Sequence, residues 1–142
     1  MVTGHNIPMG LRAAYLSMHR QTDSCFAGHG VTANQFVLLA LLAEQDGITQ
    51  QELARRAFSD PNTIRAMLVL LEKRGLVTRQ QHPNDGRARN VTITRKGRRT
   101  YERLLQESEP LRRRMLAPFQ SEEVKMLTIF LNRLSEAMIE IE

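Results

Sequence analysis

The chain has 142 residues, of which 42% are hydrophobic and 25% charged, with a net charge of +5 and no tryptophan. That is one domain's worth of chain, long enough for a real core and too apolar for intrinsic disorder. A single cysteine excludes an internal disulfide framework, no apolar run approaches a membrane span, and the N-terminus lacks a signal-peptide pattern, so a protein of the cytoplasm is expected.

Ile7, Leu11, Ala14, Tyr15 and Met18 recur at helical spacing and predict a first helix over about 7–26, broken by Gly28 and Gly30. Thr32 and Gln35 form a capping box that opens a second helix, which stops near Gly47. Its Phe36, Val37, Leu39, Ala40, Leu41 and Leu42 put apolar groups on nearly every side and predict central burial. Gly47-Ile48-Thr49 reads as a short extended step. Thr49 and Glu52 read as a second capping box, opening a short helix from Gln50 to about Phe58.

The next helix, within Ser59 to Leu76, is marked at both ends. Asp60 is a good N-cap, Pro61 falls at the first helical position, and Gly75 suits the left-handed residue after a helix end. Ile64, Leu68 and Leu71 share one face, with Met67 beside them. Asn62, Thr63 and Arg65 lie on the polar side near the start, where such groups can reach base edges in a major groove. Two short helices joined by a tight turn make a helix-turn-helix. Leu76 to Gln80 reads as a strand, 81–88 as a turn with Asp85-Gly86 as the hairpin signal, and Arg89 to Thr94 as the return strand with Val91 and Ile93 on one face. This hairpin is a wing. Arg87 at its tip, and Arg89 just inside, are candidates for a minor groove, with Asp85 orienting Arg87.

A long helix is predicted from Lys96 to about Phe119, bent or broken by Pro110, and Ser121 starts the last helix, with Leu127, Phe130, Leu131, Leu134 and Met138 as its stripe. The first helix and the last two carry more apolar surface than a small winged helix needs, which points to a dimerisation layer. The expected fold is mainly α with a small β-hairpin wing (α+β). It is a single domain over 1–142, with dimerisation helices at about 7–27 and 98–140 and a winged helix-turn-helix lobe at about 31–97.

Charge placement bears on function. From Gln50 to Arg99 there are twelve basic and four acidic residues, against eight and eleven in the rest of the chain. A surplus of this kind is the footprint of a nucleic-acid surface, although a solvated basic face has the same composition. Arg55, Arg56, Lys73, Arg74 and Arg79 are the candidate phosphate contacts.

Several strings and the order of elements resemble the MarR family of bacterial transcriptional regulators. They are Thr32-x-x-Gln35-Phe36, Gln51-Glu52-Leu53-Ala54, Leu71-Glu72-Lys73-Arg74-Gly75-Leu76-Val77, and Asp85-x-Arg87 followed by Val91-Thr92-Ile93-Thr94-x-x-Gly97. The resemblance covers the whole chain. It implies a homodimer of interleaved terminal helices, and one winged helix per subunit on a pseudo-palindromic site in double-stranded DNA. Repression released by a small aromatic ligand or an oxidant is also implied. By position it matches Pro61, Asn62, Thr63 and Arg65 to the reading end of the helix and Arg87 to the wing arginine.

Tyr15, His19 and Phe36 either line an effector pocket, as the resemblance implies for helices 1 and 2, or fill the core. Cys25 is either a peroxide-sensing thiol, as in one branch of the family, or an idle cysteine. It stands near the end of the first helix, whereas that branch carries its cysteine near the start. The four scattered histidines suggest no metal site, and no cofactor is called for. No catalytic constellation stands out, so an enzyme ranks behind a DNA-binding regulator and a winged helix used as a protein-interaction module.

Overall fold

Helix caps set the element boundaries in the computed structural model, which describes residues 4–82 and 84–139 and, at 82 and 85–88, the backbone alone. The chain divides into two units, Met1–Ser108 and Glu109–Glu142. The first holds α1 (Asn6–Phe26), a 3-10 turn (Ala27–His29), α2 (Ala33–Glu44), β1 (Ile48–Thr49), α3 (Gln50–Arg56), α4 (Pro61–Lys73), β2 (Val77–His82), β3 (Asp85–Ile93) and α5 (Arg95–Glu107). The second holds α6 (Glu109–Leu116) and α7 (Ser121–Ala137). This is a mainly helical winged helix-turn-helix with a three-stranded antiparallel sheet ordered β1-β3-β2.

The core lies wholly in the first unit. Phe26, Leu38, Leu39, Leu42, Leu53, Ile64, Leu68, Leu71, Val91 and Leu104 are fully enclosed, each worth about 1.5–3 kcal/mol relative to exposure. The Thr32 box closes as expected, its hydroxyl accepting from the Gln35 N–H and the Gln35 amide oxygen from the Thr32 N–H, both at 3.1 Å. α2 is enclosed on one side only, contrary to the expected central burial. Leu38, Leu39 and Leu42 meet the core, while Val37 is exposed and Phe36 and Leu41 are half-buried, because neighbouring elements cover a single face.

The sheet corrects the reading of the wing. β2 runs on to His82 and β3 starts at Asp85, so Asp85 and Gly86 belong to a strand and the hairpin turn is shorter than the expected 81–88. Continued pairing, Gln81 with Arg89 and His82 with Asp85, outweighs the local turn preference of Asp-Gly, and the register shifts between Gln81 and His82. The short extended step is the third strand, with Ile48 opposite Val91 and Thr49 opposite Asn90. Val91 and Ile93 are both buried, as the alternation predicts.

Thr94 joins wing to α5. Its Oγ1 accepts from the Gly97 N–H at 2.9 Å and donates to the Gly75 carbonyl at 2.6 Å, and its N–H donates to the Leu76 carbonyl at 3.1 Å. Gly97 must lack a side chain, because a Cβ there would lie 2.1 Å from the Leu76 carbonyl oxygen and 2.8 Å from Ile93 Cγ1. The Thr-x-x-Gly string is thus a cap and a close approach in one.

The helix expected from Lys96 to about Phe119 is broken at Ser108, with Pro110 second in α6. Proline has no N–H for the carbonyl four residues back, and the preceding turn closes on itself, Ser108 Oγ donating to the Leu105 carbonyl at 3.1 Å. In the second unit neither α6 nor α7 buries a residue, and Leu127, Phe130 and Leu131 stand exposed along α7.

Candidate nucleic-acid interface

α4 presents its first turn to solvent. Asp60 caps it, Oδ1 accepting from the Thr63 N–H at 2.9 Å, and Pro61 occupies the opening position. Ile64, Leu68 and Leu71 anchor the opposite face in the core, which leaves Pro61, Asn62, Thr63 and Arg65 all exposed. Thr63 also donates its hydroxyl to Asp60 Oδ2 at 2.6 Å. That bond holds the Asp60 carboxyl below its ordinary range and leaves the Thr63 oxygen as an acceptor towards anything in front of the helix. Gly75, with φ of 74°, ends the helix as expected.

The candidate phosphate contacts separate into distinct roles. Lys73 is exposed at the last turn of α4. Arg55 is exposed and Arg56 half-buried, and both hydrogen-bond Glu52. These bonds, that from Arg55 first, hold the Glu52 carboxyl down at about 2. They also explain why Thr49 and Glu52 make half of the expected capping box. The Thr49 hydroxyl accepts from the Glu52 N–H at 3.1 Å, but the Glu52 carboxylate turns to the arginines instead of back to Thr49.

Arg74 reaches across to the turn after α1, donating to the Gly30 carbonyl and to the His29 carbonyl at 2.9 Å. Arg79 departs furthest from expectation. Its side chain is only 13% exposed, and its guanidinium donates to Glu72 Oε1 at 3.2 Å and Gln50 Oε1 at 3.3 Å. It ties β2 to α3 and α4 and spends its guanidinium on these two bonds. Alternation along β2 alone could not reveal this, because the clamp depends on Glu72 and Gln50 from two other elements.

On the wing, Arg89 is exposed on β3. The side chains of Asp85 and Arg87, and so their expected pairing, lie outside the described residues.

The three candidate pocket residues separate. Phe36 lines an open cavity of about 490 Å³ with Val37, Ala40, Leu41, Ala43, Glu44 and Tyr101. The Phe36 ring packs on Phe26 and Tyr101 at centroid distances of 5.0 and 5.4 Å. Tyr15 and His19 are not among the lining residues. Their tilted rings lie 5.5 Å apart along α1, and His19 meets Asp23 at 3.4 Å. Tyr101 was missed by sequence reasoning, although it stands three residues before the buried Leu104 and so shares its helix face. Cys25 is half-buried, its thiol donating to the Glu107 carbonyl at 3.5 Å.

Comparison with known proteins identifies the architecture. Residues 31–88, from just before α2 to within β3, match the MarR family. The uncharacterized HTH-type transcriptional regulator YdgJ of Bacillus subtilis is 32% identical over 80% of this chain and 69% of its own length. The chain belongs to the MarR family. The homoprotocatechuate degradative operon repressor of Escherichia coli is 30% identical over 70% of this chain and 68% of its own. Among solved structures, the repressor CouR bound to a 23-mer DNA duplex superposes with a TM-score of 0.81 at 26% identity, covering 95% of this chain and 99% of that one. This MarR-family chain is therefore a DNA-binding transcriptional regulator with the fold of regulators rather than of enzymes. No single helix among the described residues is long and apolar enough to cross a membrane.

Proposed function

We propose that this MarR-family protein is a ligand-responsive repressor that works in the cytoplasm and binds a pseudo-palindromic operator as a homodimer. The observation that carries the reading is the first turn of α4, capped by Asp60 and buttressed by Leu68 and Leu71, with Pro61, Asn62, Thr63 and Arg65 exposed in a segment of surplus basic charge. These four residues enter the major groove, where Arg65 has the donors for a guanine edge. Arg87 takes the minor groove beside it. Lys73, Arg55 and Arg89 supply the salt-sensitive phosphate contacts.

Chain 1–142 acts as a single domain, with the winged helix of about 31–97 as the DNA lobe and helices at about 7–27 and 98–140 as the dimer layer. Support comes from uncovered apolar surface. No residue of α7 is fully enclosed, and Ile7, Met9 and Tyr15 of α1 are about half exposed or more. A second copy is the partner that covers such stripes in a symmetric oligomer.

The cavity at Phe36 and Tyr101 suits one small aromatic molecule, since two rings and aliphatic side chains form its walls and Glu44 is the acceptor for a phenolic hydroxyl. A ligand with a few kcal/mol of preference for one spacing of the two lobes is sufficient to release the operator. The name of the Escherichia coli relative, the homoprotocatechuate degradative operon repressor, supports repression as the mode of control.

The test is selection of bound sequences from random duplex DNA by the purified protein, repeated with Arg87→Ala. An inverted repeat, enriched by the wild type and weakened by the substitution, is the expected result. Salt-sensitive binding without an enriched repeat overturns the operator-reading part.

A further inference from the structure

The turn between α3 and α4 holds Phe58, the most exposed large apolar side chain among the described residues at 80%. Its φ is 51°, and no other non-glycine among the described residues has a positive φ. The turn is a regular helix stop. The Phe58 N–H donates to the Arg55 carbonyl at 3.2 Å and the Ser59 N–H to the Ala54 carbonyl at 3.0 Å. α4 ends with the same pair of bonds, Gly75 to Glu72 at 2.9 Å and Leu76 to Leu71 at 3.0 Å, and there the left-handed position is a glycine. Glycine takes this conformation at no steric cost, whereas a Cβ is crowded against the neighbouring backbone. Phe58 therefore strains the turn while its ring stays in water, outside the buried cluster. Neither the turn nor the core accounts for the ring.

Its place does. Phe58 stands two residues before the Asp60 cap of α4, the helix whose Pro61, Asn62, Thr63 and Arg65 are exposed like it. The exposed Arg55 lies one turn earlier. A phenyl ring has no donor or acceptor for a base edge. In a major groove its complement is the one apolar group displayed there, the C5-methyl of thymine.

We propose that Phe58 is a specificity-determining residue that packs on a thymine methyl at the edge of the half-site, a proposal that rests on the reading of α4 as the groove-entering helix. The closed turn fixes the ring's backbone before binding, so little ordering is left to oppose the contact.

The experiment uses a duplex selected from a random pool by the wild-type protein, the variant Phe58→Gly, and duplexes in which each thymine in turn is replaced by uracil. Phe58→Gly is expected to raise the melting temperature, because the strain is removed, and to weaken binding about four- to fifteenfold, the scale of one or two buried methyl groups. The slope of affinity against salt stays unchanged, since no phosphate contact is lost. One uracil weakens wild-type binding by a similar factor and has no further effect on the variant. Unchanged affinity of Phe58→Gly, or losses from uracil that are independent of Phe58 at every position, overturns the assignment of the ring. A wild-type protein that enriches no sequence from the pool overturns the reading of α4 itself, and the two failures are thereby distinct.

Discussion

The winged lobe and the C-terminal unit use apolar residues at similar helical spacing and reach opposite outcomes. In α4 the residues Ile64, Leu68 and Leu71 are fully enclosed. In α7 the corresponding stripe of Leu127, Phe130 and Leu131 is 40–48% exposed. Periodicity states which face of a helix is to be covered and leaves open what covers it. α4 finds its cover within the lobe, in α3 and β2, whereas the stripe of α7 stays exposed.

The difference can be broken or sharpened by measurement. Leu68→Ala empties a site with no relief from solvent and should cost about 2–5 kcal/mol of stability in chemical denaturation. A loss below 1 kcal/mol would mean the lobe is not the closed core described. Leu127→Glu should leave the lobe folded but weaken self-association more than about 100-fold by sedimentation, because a charge enters an apolar interface. If the wild type is already monomeric at micromolar concentration, the dimer reading of α7 fails.

Arg65→Ala touches neither core nor stripe. It should weaken operator binding by about 1–3 kcal/mol, relax preference at one base position, and leave the melting temperature unchanged. A uniform loss across all sequences would reassign Arg65 to the phosphates. The smallest effect concerns pH. The bonds from Arg55 and Arg56 lower the Glu52 carboxyl from 4.5 to about 2. The folded state thus holds its proton more weakly than the unfolded chain. The stabilisation is fully present above about pH 4.5 and is lost as pH falls towards 2. Glu52→Gln should flatten that acid limb in thermal melts between pH 5 and 2, and an unaltered limb would show that the pair contributes nothing.

Features decided by neighbours three or four residues away were legible in the sequence. The Asp60-Pro61 start, the Gly75 stop, the Thr32 box and the buried face of α4 all fall where local chemistry puts them. Features decided by distant partners were not. Arg79 looks like any exposed strand arginine until Glu72 and Gln50 are brought beside it. Phe36 meets Tyr101 rather than Tyr15, a choice made by the packing of α5. Thr49 and Glu52 satisfy the spacing of a box, yet two arginines compete successfully for the carboxylate. The wing is intermediate, since its hairpin was evident but the extent of pairing depended on both strands together.

Thr49 belongs at once to β1, paired with Asn90 of the wing, and to the cap of α3, whose first turn it closes. A lever whose fulcrum is a single residue has no slack. The hairpin meets the start of α3 at a residue that belongs to both, with no loop between them. The wing is thus joined to the helix-turn-helix at the start of α3 as well as through β2, which follows α4 in the chain.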